Sequence, residues 1–388
     1  LENGHLRRAT DYARAALVAD AAGMDARKAG SRQIDLPGML AKNPSGAEGG
    51  GHAAAFALMA LDAVNYHSSS GDVWNRDSLI RLLLERRAPD GGWAHSPGYS
   101  DVEVTGIVLS ALAPYTDRSD VRAAADSALA WLSSVQLENG GFGHPETSEA
   151  AAQVLIALAS LGIDPDRDPR FVKEGKSVLD RFLEFQLTDG TFMHRQGGRP
   201  DSLATVHALL ALTAADRFQD GLSGLYRGTG NSEPVKVSFY SPGGVLAQGY
   251  GYGRTAMDAV VQVLSRNKLP YRVVRDPEQG AVLVSIGDDS DLEADIRDVW
   301  KFVLIRDQKR EWNVAELSGR ELKGIREIVA YYGKPPALIR SVKWSPGTPR
   351  EGLPVTVTAE METFDPAGGN SKAAPASGVT VAIGDARG

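Results

Sequence analysis

A chain of 388 residues, 43% hydrophobic and 23% charged, has room for two or three domains with ordinary soluble cores and is not a disordered polymer. Its net charge of −7 argues against nucleic acid or an anionic membrane surface as partner. The lack of cysteine excludes a disulfide framework, a thiolate metal site and a thiol nucleophile, and no apolar run reaches the roughly 18 residues that span a bilayer.

No signal peptide opens the chain. Leu1-Glu2-Asn3-Gly4 reads like the end of a repeat, as in Leu137-Glu138-Asn139-Gly140, so the sequence is expected to be a piece of a longer protein. Residues 11–23 predict a helix with a Gly stop, and 30–50, rich in Gly and Pro, predict a loop. A second helix, Ala53 to Tyr66, is apolar almost all round and suits the inner layer of a helical barrel. Asp77 to Arg87 is polar on one side and suits the outer layer.

From residue 90 the chain says nearly the same thing three times: Asp90-Gly91-Gly92-Trp93, Asn139-Gly140-Gly141-Phe142 and Asp189-Gly190-Thr191-Phe192. The aromatics fall 49 and 50 residues apart, and a period of that length with two helical runs in it means an array of helix hairpins. The Gly supplies a turn with φ > 0, and the aromatic can wedge between repeats. Inner helices are expected to begin near Asp101, Thr147 and Asp201, each followed four residues later by Thr105, Ala151 or Thr205. Outer helices are expected over Val121–Val135 and Phe171–Phe185. The helical part, 1–218, then gives way to a Gly-rich linker at 219–233.

Beyond it the period changes from 3.6 to 2. Val235, Val237 and Phe239 alternate with polar neighbours as a half-buried strand. A helix at Ala256–Arg266 opens with Thr255 and Asp258 as a capping pair, and strands follow at 271–274, 281–286, 300–305 and 325–332. Residues 234–335 are therefore a small α+β domain, and 336–388, all strands broken by Pro and Gly, the start of an Ig-like β-sandwich.

Phe56-Ala57-Leu58-Met59-Ala60-Leu61-Asp62, Ser148-Glu149-Ala150-Ala151-Ala152-Gln153-Val154 and Leu161-Gly162-Ile163-Asp164-Pro165 resemble the prenyltransferase/squalene-oxidase repeats of bacterial surface proteins. Thr255-Ala256-Met257-Asp258-Ala259-Val260, Val284-Ser285-Ile286-Gly287 and Tyr331-Tyr332-Gly333 resemble the transcobalamin-like domain that follows in such proteins, which share the architecture of the vertebrate cobalamin carriers. The resemblance covers about residues 8–335. It implies an α/α toroid whose mouth is covered by the α+β domain, a ligand held between the two, and a location at the cell wall or outside the cell.

His95, His144 and His194 each stand two residues after the wedge aromatic. Equivalent positions on adjacent hairpins lie roughly 8–10 Å apart, too far to share one zinc ion with ligands at roughly 2.0–2.1 Å, so no metal site is assigned. One of the three can still serve as axial ligand to the cobalt of a corrinoid; hydrogen-bonded loop histidines are the bland alternative. Glu103 and Glu149 occupy equivalent positions, as do Ile107, Gln153 and His207. The carboxylates can act as acid and base, bind ligand amides, or simply favour positive helix N-termini. Gln153 and His207 need a partner on otherwise apolar helices, from a ligand, protein or water. Gly249-Tyr250-Gly251-Tyr252-Gly253 ahead of a helix suggests a ligand lid or, less readily, a phosphate cradle. Asp288-Asp289-Ser290-Asp291 lacks EF-hand spacing and reads as a solvated loop.

The expected ligand contacts are thus Tyr66, Trp93, His95, Glu103, Phe142, His144, Glu149, Gln153, Phe192, His194, His207, Tyr250 and Tyr252. The leading expectation is a non-enzymatic, extracellular protein that binds cobalamin or another bulky small molecule between toroid and lid. A surface adhesion or scaffold module for host protein or glycan is the second reading, and a toroid enzyme acting on isoprenoids the third. The non-enzymatic reading rests on absences: no Asp-x-Asp-Asp, no Cys for a zinc site, no Gly-x-Ser-x-Gly and no His-Glu-x-x-His.

Overall fold

A computed structural model describes residues 8–43, 50–95, 98–228, 233–241, 244–276, 280–287, 300–307 and 309–332, with Leu6 and three strands beyond residue 337. Its helical part alternates inner and outer helices. The inner ones are α1 (Ala9–Ala21), α3 (Gly51–Ala63), α5 (Val102–Leu112), α7 (Ser148–Ser160) and α9 (Ser202–Gln219). The outer ones are α2 (Leu36–Lys42), α4 (Arg76–Glu85), α6 (Ser119–Val135) and α8 (Val178–Leu183). Each inner helix packs on the next, from α1 through α3, α5 and α7 to α9, and α2, α4, α6 and α8 back them. This is the α/α toroid arrangement. The two ends of the series, α1 and α9, share no packing of comparable extent.

Small residues make the inner layer. On α3 and α7 almost every side chain is buried, chiefly Ala, because each helix has neighbours on both sides and an outer helix behind. Gly106 on α5 lets the backbone of α7 come close: a Cβ there would sit 2.7 Å from the Gln153 carbonyl oxygen.

The three repeats close with one geometry. Ala88, Leu137 and Leu187 donate their N–H to the carbonyls of Gly92, Gly141 and Thr191 across the turn, at 2.8, 3.0 and 2.7 Å. The turn glycines Gly91, Gly140 and Gly190 have φ of 107°, 89° and 85°, which L side chains rarely adopt. The aromatic carbonyl then accepts from the N-cap residue of the next inner helix: Asp101 to Trp93, Thr147 to Phe142 and Asp201 to Phe192. The same three caps accept the N–H of Val104, Ala150 and Ala204.

Four sequence expectations are corrected. The 30–50 loop contains α2, capped by Asp35 and opened by Pro37. The helix expected over 171–185 is cut to α8, because Glu174 and Gly175 both take positive φ and Ser177 restarts the chain as a new N-cap. The 219–233 linker is packed as far as it is described: Tyr226 meets the Phe56 ring at 6.4 Å, and Ser223 N donates to Asp258 at 3.0 Å. The Gly-Tyr-Gly-Tyr-Gly lid lies largely in a strand, described next.

The second part is a five-stranded sheet in the order β2-β1-β7-β5-β6, built from β1 (Val235–Ser241), β2 (Gly244–Gly251), β5 (Lys301–Arg306), β6 (Lys309–Val314) and β7 (Glu327–Tyr331). β1 and β7 run parallel and the other neighbours antiparallel. A two-stranded ribbon, β3 (Tyr271–Asp276) with β4 (Gly280–Ile286), stands beside it. The helix α10 (Ala256–Arg266), with Thr255 and Asp258 as a capping box, packs on β1 and β2. Gly251 is required by that contact, since a Cβ would lie 2.2 Å from the Ala259 carbonyl oxygen. A separate antiparallel sheet, β10-β9-β8, uses β8 (Leu338–Ser345), β9 (Thr356–Thr363) and β10 (Lys372–Pro375). Residues 288–291 lie outside the described residues.

Candidate functional site

The inner helices end in two separate polar regions. Their N-terminal ends carry the histidines and glutamates singled out by the repeat. Their C-terminal ends carry a cavity against the α+β part. Glu149 and Ser160, at opposite ends of α7, are separated by 11 residues, roughly 16 Å of helix rise.

At the N-terminal rim, Glu149 is 5% exposed, and both its oxygens lie 2.9 Å from His194 Nδ1. Ser148 Oγ donates to Glu149 Oε2 at 3.0 Å. The His52 and His95 rings meet edge-on at 5.0 Å. Between these pairs stands Glu103, whose carboxyl is held above the usual glutamate range by burial, then by Asp101 and Glu149. Burial also holds His52 and His207 below the usual imidazole value, so they stay neutral near pH 7. The Nδ1 atoms of both are buried without a hydrogen-bond partner. Among the described residues no three His, Asp or Glu side chains converge to hold a metal ion.

Several expected ligand contacts have structural work instead. Trp93, Phe142 and Phe192 are sealed in the core, and Trp93 Nε1 donates to the Leu83 carbonyl at 2.7 Å, so these wedges face neighbouring hairpins rather than a ligand. Tyr66 is buried and bonds Asp72 at 3.1 Å. His144 is exposed and has no hydrogen bond among the described residues. Tyr250 lies exposed on the edge strand β2, and the Tyr252 ring is covered by Arg266 at 5.6 Å. Gln153 and His207 do occupy neighbouring inner helices, α7 and α9.

The cavity at the other end measures about 920 Å³. Its toroid wall comes from the ends of α3, α5 and α7, with Met59, Ala111 and Pro114; its opposite wall comes from residues 253–255 and 318–326. None of the 13 expected contacts lines it. Sequence reasoning missed what does. Asp62 accepts from Arg76 Nε at 2.6 Å and from the Tyr115 hydroxyl at 2.7 and 2.8 Å. Tyr115 is pushed far above the usual phenol range by burial and then by Asp62. Arg254 crosses between the two parts, donating Nε to the Arg227 carbonyl at 2.7 Å and Nη2 to the Asp62 carbonyl. Burial, and then Arg227, pull its guanidinium below the ordinary arginine value. Burial pushes the Tyr226 phenol up to about 12, so it remains a neutral donor. The available signal was the pair Tyr226-Arg227 and Gly253-Arg254: basic residues beside glycine where a plain linker or turn needs no charge.

Residues 45–168 match the prenyltransferase alpha-alpha toroid domain family. That match overturns the expectation of a non-enzymatic chain: the missing motifs excluded particular chemistries, whereas the matched family is named for a transferase. A structure of Candida albicans protein geranylgeranyltransferase-I complexed with GGPP aligns loosely, at 14% identity and a TM-score of 0.33, over 46% of this chain and 53% of that one. The match thus spans about half of that chain's length. No curated protein matches.

Proposed function

We propose that this chain is an isoprenoid-processing toroid module that seats a bulky, largely apolar ligand between the C-terminal ends of its inner helices and the α+β part. The observation that carries the reading is the 920 Å³ cavity, which is within the size range of small-molecule sites. Met59, Ala111, Pro114, Leu322 and Ile325 give it apolar patches within a lining that also carries Asp62, Arg227, Arg254 and Glu321, and the family match supplies the ligand class. A corrinoid with an axial histidine fits less well. His95 and His194 stand at the opposite rim, beside α3 and α7 N-termini, a helix length from the cavity.

The test is calorimetric titration of the protein with geranylgeraniol and, separately, cyanocobalamin. Saturable one-to-one binding of the isoprenoid is expected, weakened at least about tenfold by Ser160→Trp, which fills the cavity from the end of α7. Binding of cyanocobalamin with no response to the isoprenoid would return the ligand to the corrinoids and overturn the proposal.

A further inference from the structure

Among the described residues of the toroid, α9 is the helix whose outward face is apolar. Leu203, Val206 and Leu209 are 60%, 54% and 67% exposed, whereas every other toroid helix exposes one large hydrophobic side chain at most. At roughly 100° per residue, these three fall with Leu210 and Thr213 on one side of α9. Ala204, Ala208, Ala211, Ala215 and Phe218 take the opposite side, in the core. The packing order supplies the reason. α3, α5 and α7 each have an inner helix on both flanks, while α9 packs to comparable extent on α7 alone. The inner helices are apolar nearly all round because both flanks are covered, and α9 keeps that composition on a flank that faces water. A contiguous apolar patch rimmed by polar residues marks an interaction surface.

The charges around this face say what fits it. Arg195 and Arg199, just ahead of the N-cap Asp201, are exposed, as is Asp216 near the other end of α9. None of the three belongs to an ion pair among the described residues. A two-fold axis level with Val206 runs one α9 antiparallel to another. It sets Leu203 of each copy beside Leu209 of the other and carries the acidic end of each helix toward the basic end of its mate. The helix dipoles then oppose, which favours the pair. The other end of the inner series is a poorer match, because α1 exposes Val18 as its one large hydrophobic side chain. A contact from α9 to α1 of another copy would also be heterologous and leave further ends open, whereas α9 on α9 closes as a dimer.

We propose that the outward face of α9 is a docking surface for a second copy of this chain, which packs antiparallel on the same face about a two-fold axis near Val206. No residue of α9 lines the inter-domain cavity, so this inference stands apart from the ligand reading and either can fail alone. One helix-on-helix contact lies at the small end of specific interfaces. The dimer therefore forms with a dissociation constant of about 1–100 µM.

Sedimentation equilibrium from about 1 to 500 µM brackets that range and should show a reversible monomer–dimer equilibrium. Val206→Glu puts a charge at the centre of the face and should raise the dissociation constant at least about tenfold. Val206 faces water in the single chain, so the melting temperature of the dilute variant should match wild type. The chain has no cysteine, which allows the arrangement itself to be read by single-cysteine cross-linking. Val206→Cys, on the axis, should give a disulfide-linked dimer under mild oxidation. Thr213→Cys, seven residues along the helix, lies about 10 Å from the axis and roughly 20 Å from its counterpart, too far for a disulfide, and should not cross-link. A wild type that stays monomeric at 500 µM overturns the proposal. So does a dimer that persists unweakened in Val206→Glu, which would put the interface on another face. Cross-linking through both cysteines would mean parallel packing and overturn the antiparallel arrangement.

Discussion

Thr105 does a job at the level of one residue that its sequence position only hinted at. Its Oγ1 accepts the Trp93 N–H at 2.9 Å, and Thr205 Oγ1 accepts the Phe192 N–H at 3.0 Å. The middle repeat has Ala151 in that place and lacks the bond. Thr105→Ala strands a buried N–H and is expected to cost about 1–3 kcal/mol in denaturant unfolding. Trp93→Ala, which also opens a large void, is expected to cost about 3–5 kcal/mol; a cost under 1 kcal/mol for either would remove the wedge-and-lock account. Glu103 sets a pH dependence. Its carboxyl is raised by burial, then by Asp101 and Glu149, so its favourable contribution is complete below the unfolded value. That contribution is lost as pH rises through the folded value, because the folded chain must then ionise a buried acid. Glu103→Gln should therefore match wild type near pH 4 and become the more stable protein by pH 8. Denaturation midpoints at the two pH values measure it, and a constant difference would dismiss the effect.

Elements were legible where a local signal repeated. The N-caps Asp101, Thr147 and Asp201 were readable because each precedes an apolar run, and each accepts the expected N–H. Asp201→Ala should cost about 1 kcal/mol, measured by thermal or denaturant unfolding. The strand β2 was not legible. Gly249, Tyr250 and Gly251 resemble a flexible lid, and a mostly exposed edge strand has no inward–outward alternation to betray it. Tertiary contact decides the matter, because Gly251 is there to admit α10. Gly251→Ala should cost about 1–3 kcal/mol by overpacking, whereas Gly224→Ala, where a Cβ meets nothing closer than 3.5 Å, should be nearly silent. In the same way α8 was overread: its apolar spacing runs on through 171–185, but the turn at Glu174 and Gly175 interrupts it.

At the scale of the whole molecule, a 3.6-residue period followed by a 2-residue period marks two parts but not the faces they join. The sequence motifs drew attention to the N-terminal rim, whereas the α+β part docks at the C-terminal end, through Arg and Asp residues scattered over 62–275. Arg275 donates Nε to the Phe218 carbonyl at 2.8 Å and sits 3.9 Å above the Phe218 ring. Tyr271 bonds Asp220 at 2.7 Å. Asp258 holds Ser223 and Arg217 while capping its own helix. These ties link the last inner helix and the chain after it to α10 and β3, so the two parts should unfold together. Calorimetry of the wild type is expected to give one transition over residues 8–332, accompanied by that of the separate β8–β10 sheet. Arg254→Gln with Arg275→Gln removes the two arginine bridges, leaves the Tyr271 and Asp258 ties in place, and should split the main transition so that the α+β part melts first. An unsplit transition in the double variant would mean that the remaining junction, with the Tyr271–Asp220 and Asp258–Ser223 ties, couples the two parts without these arginines.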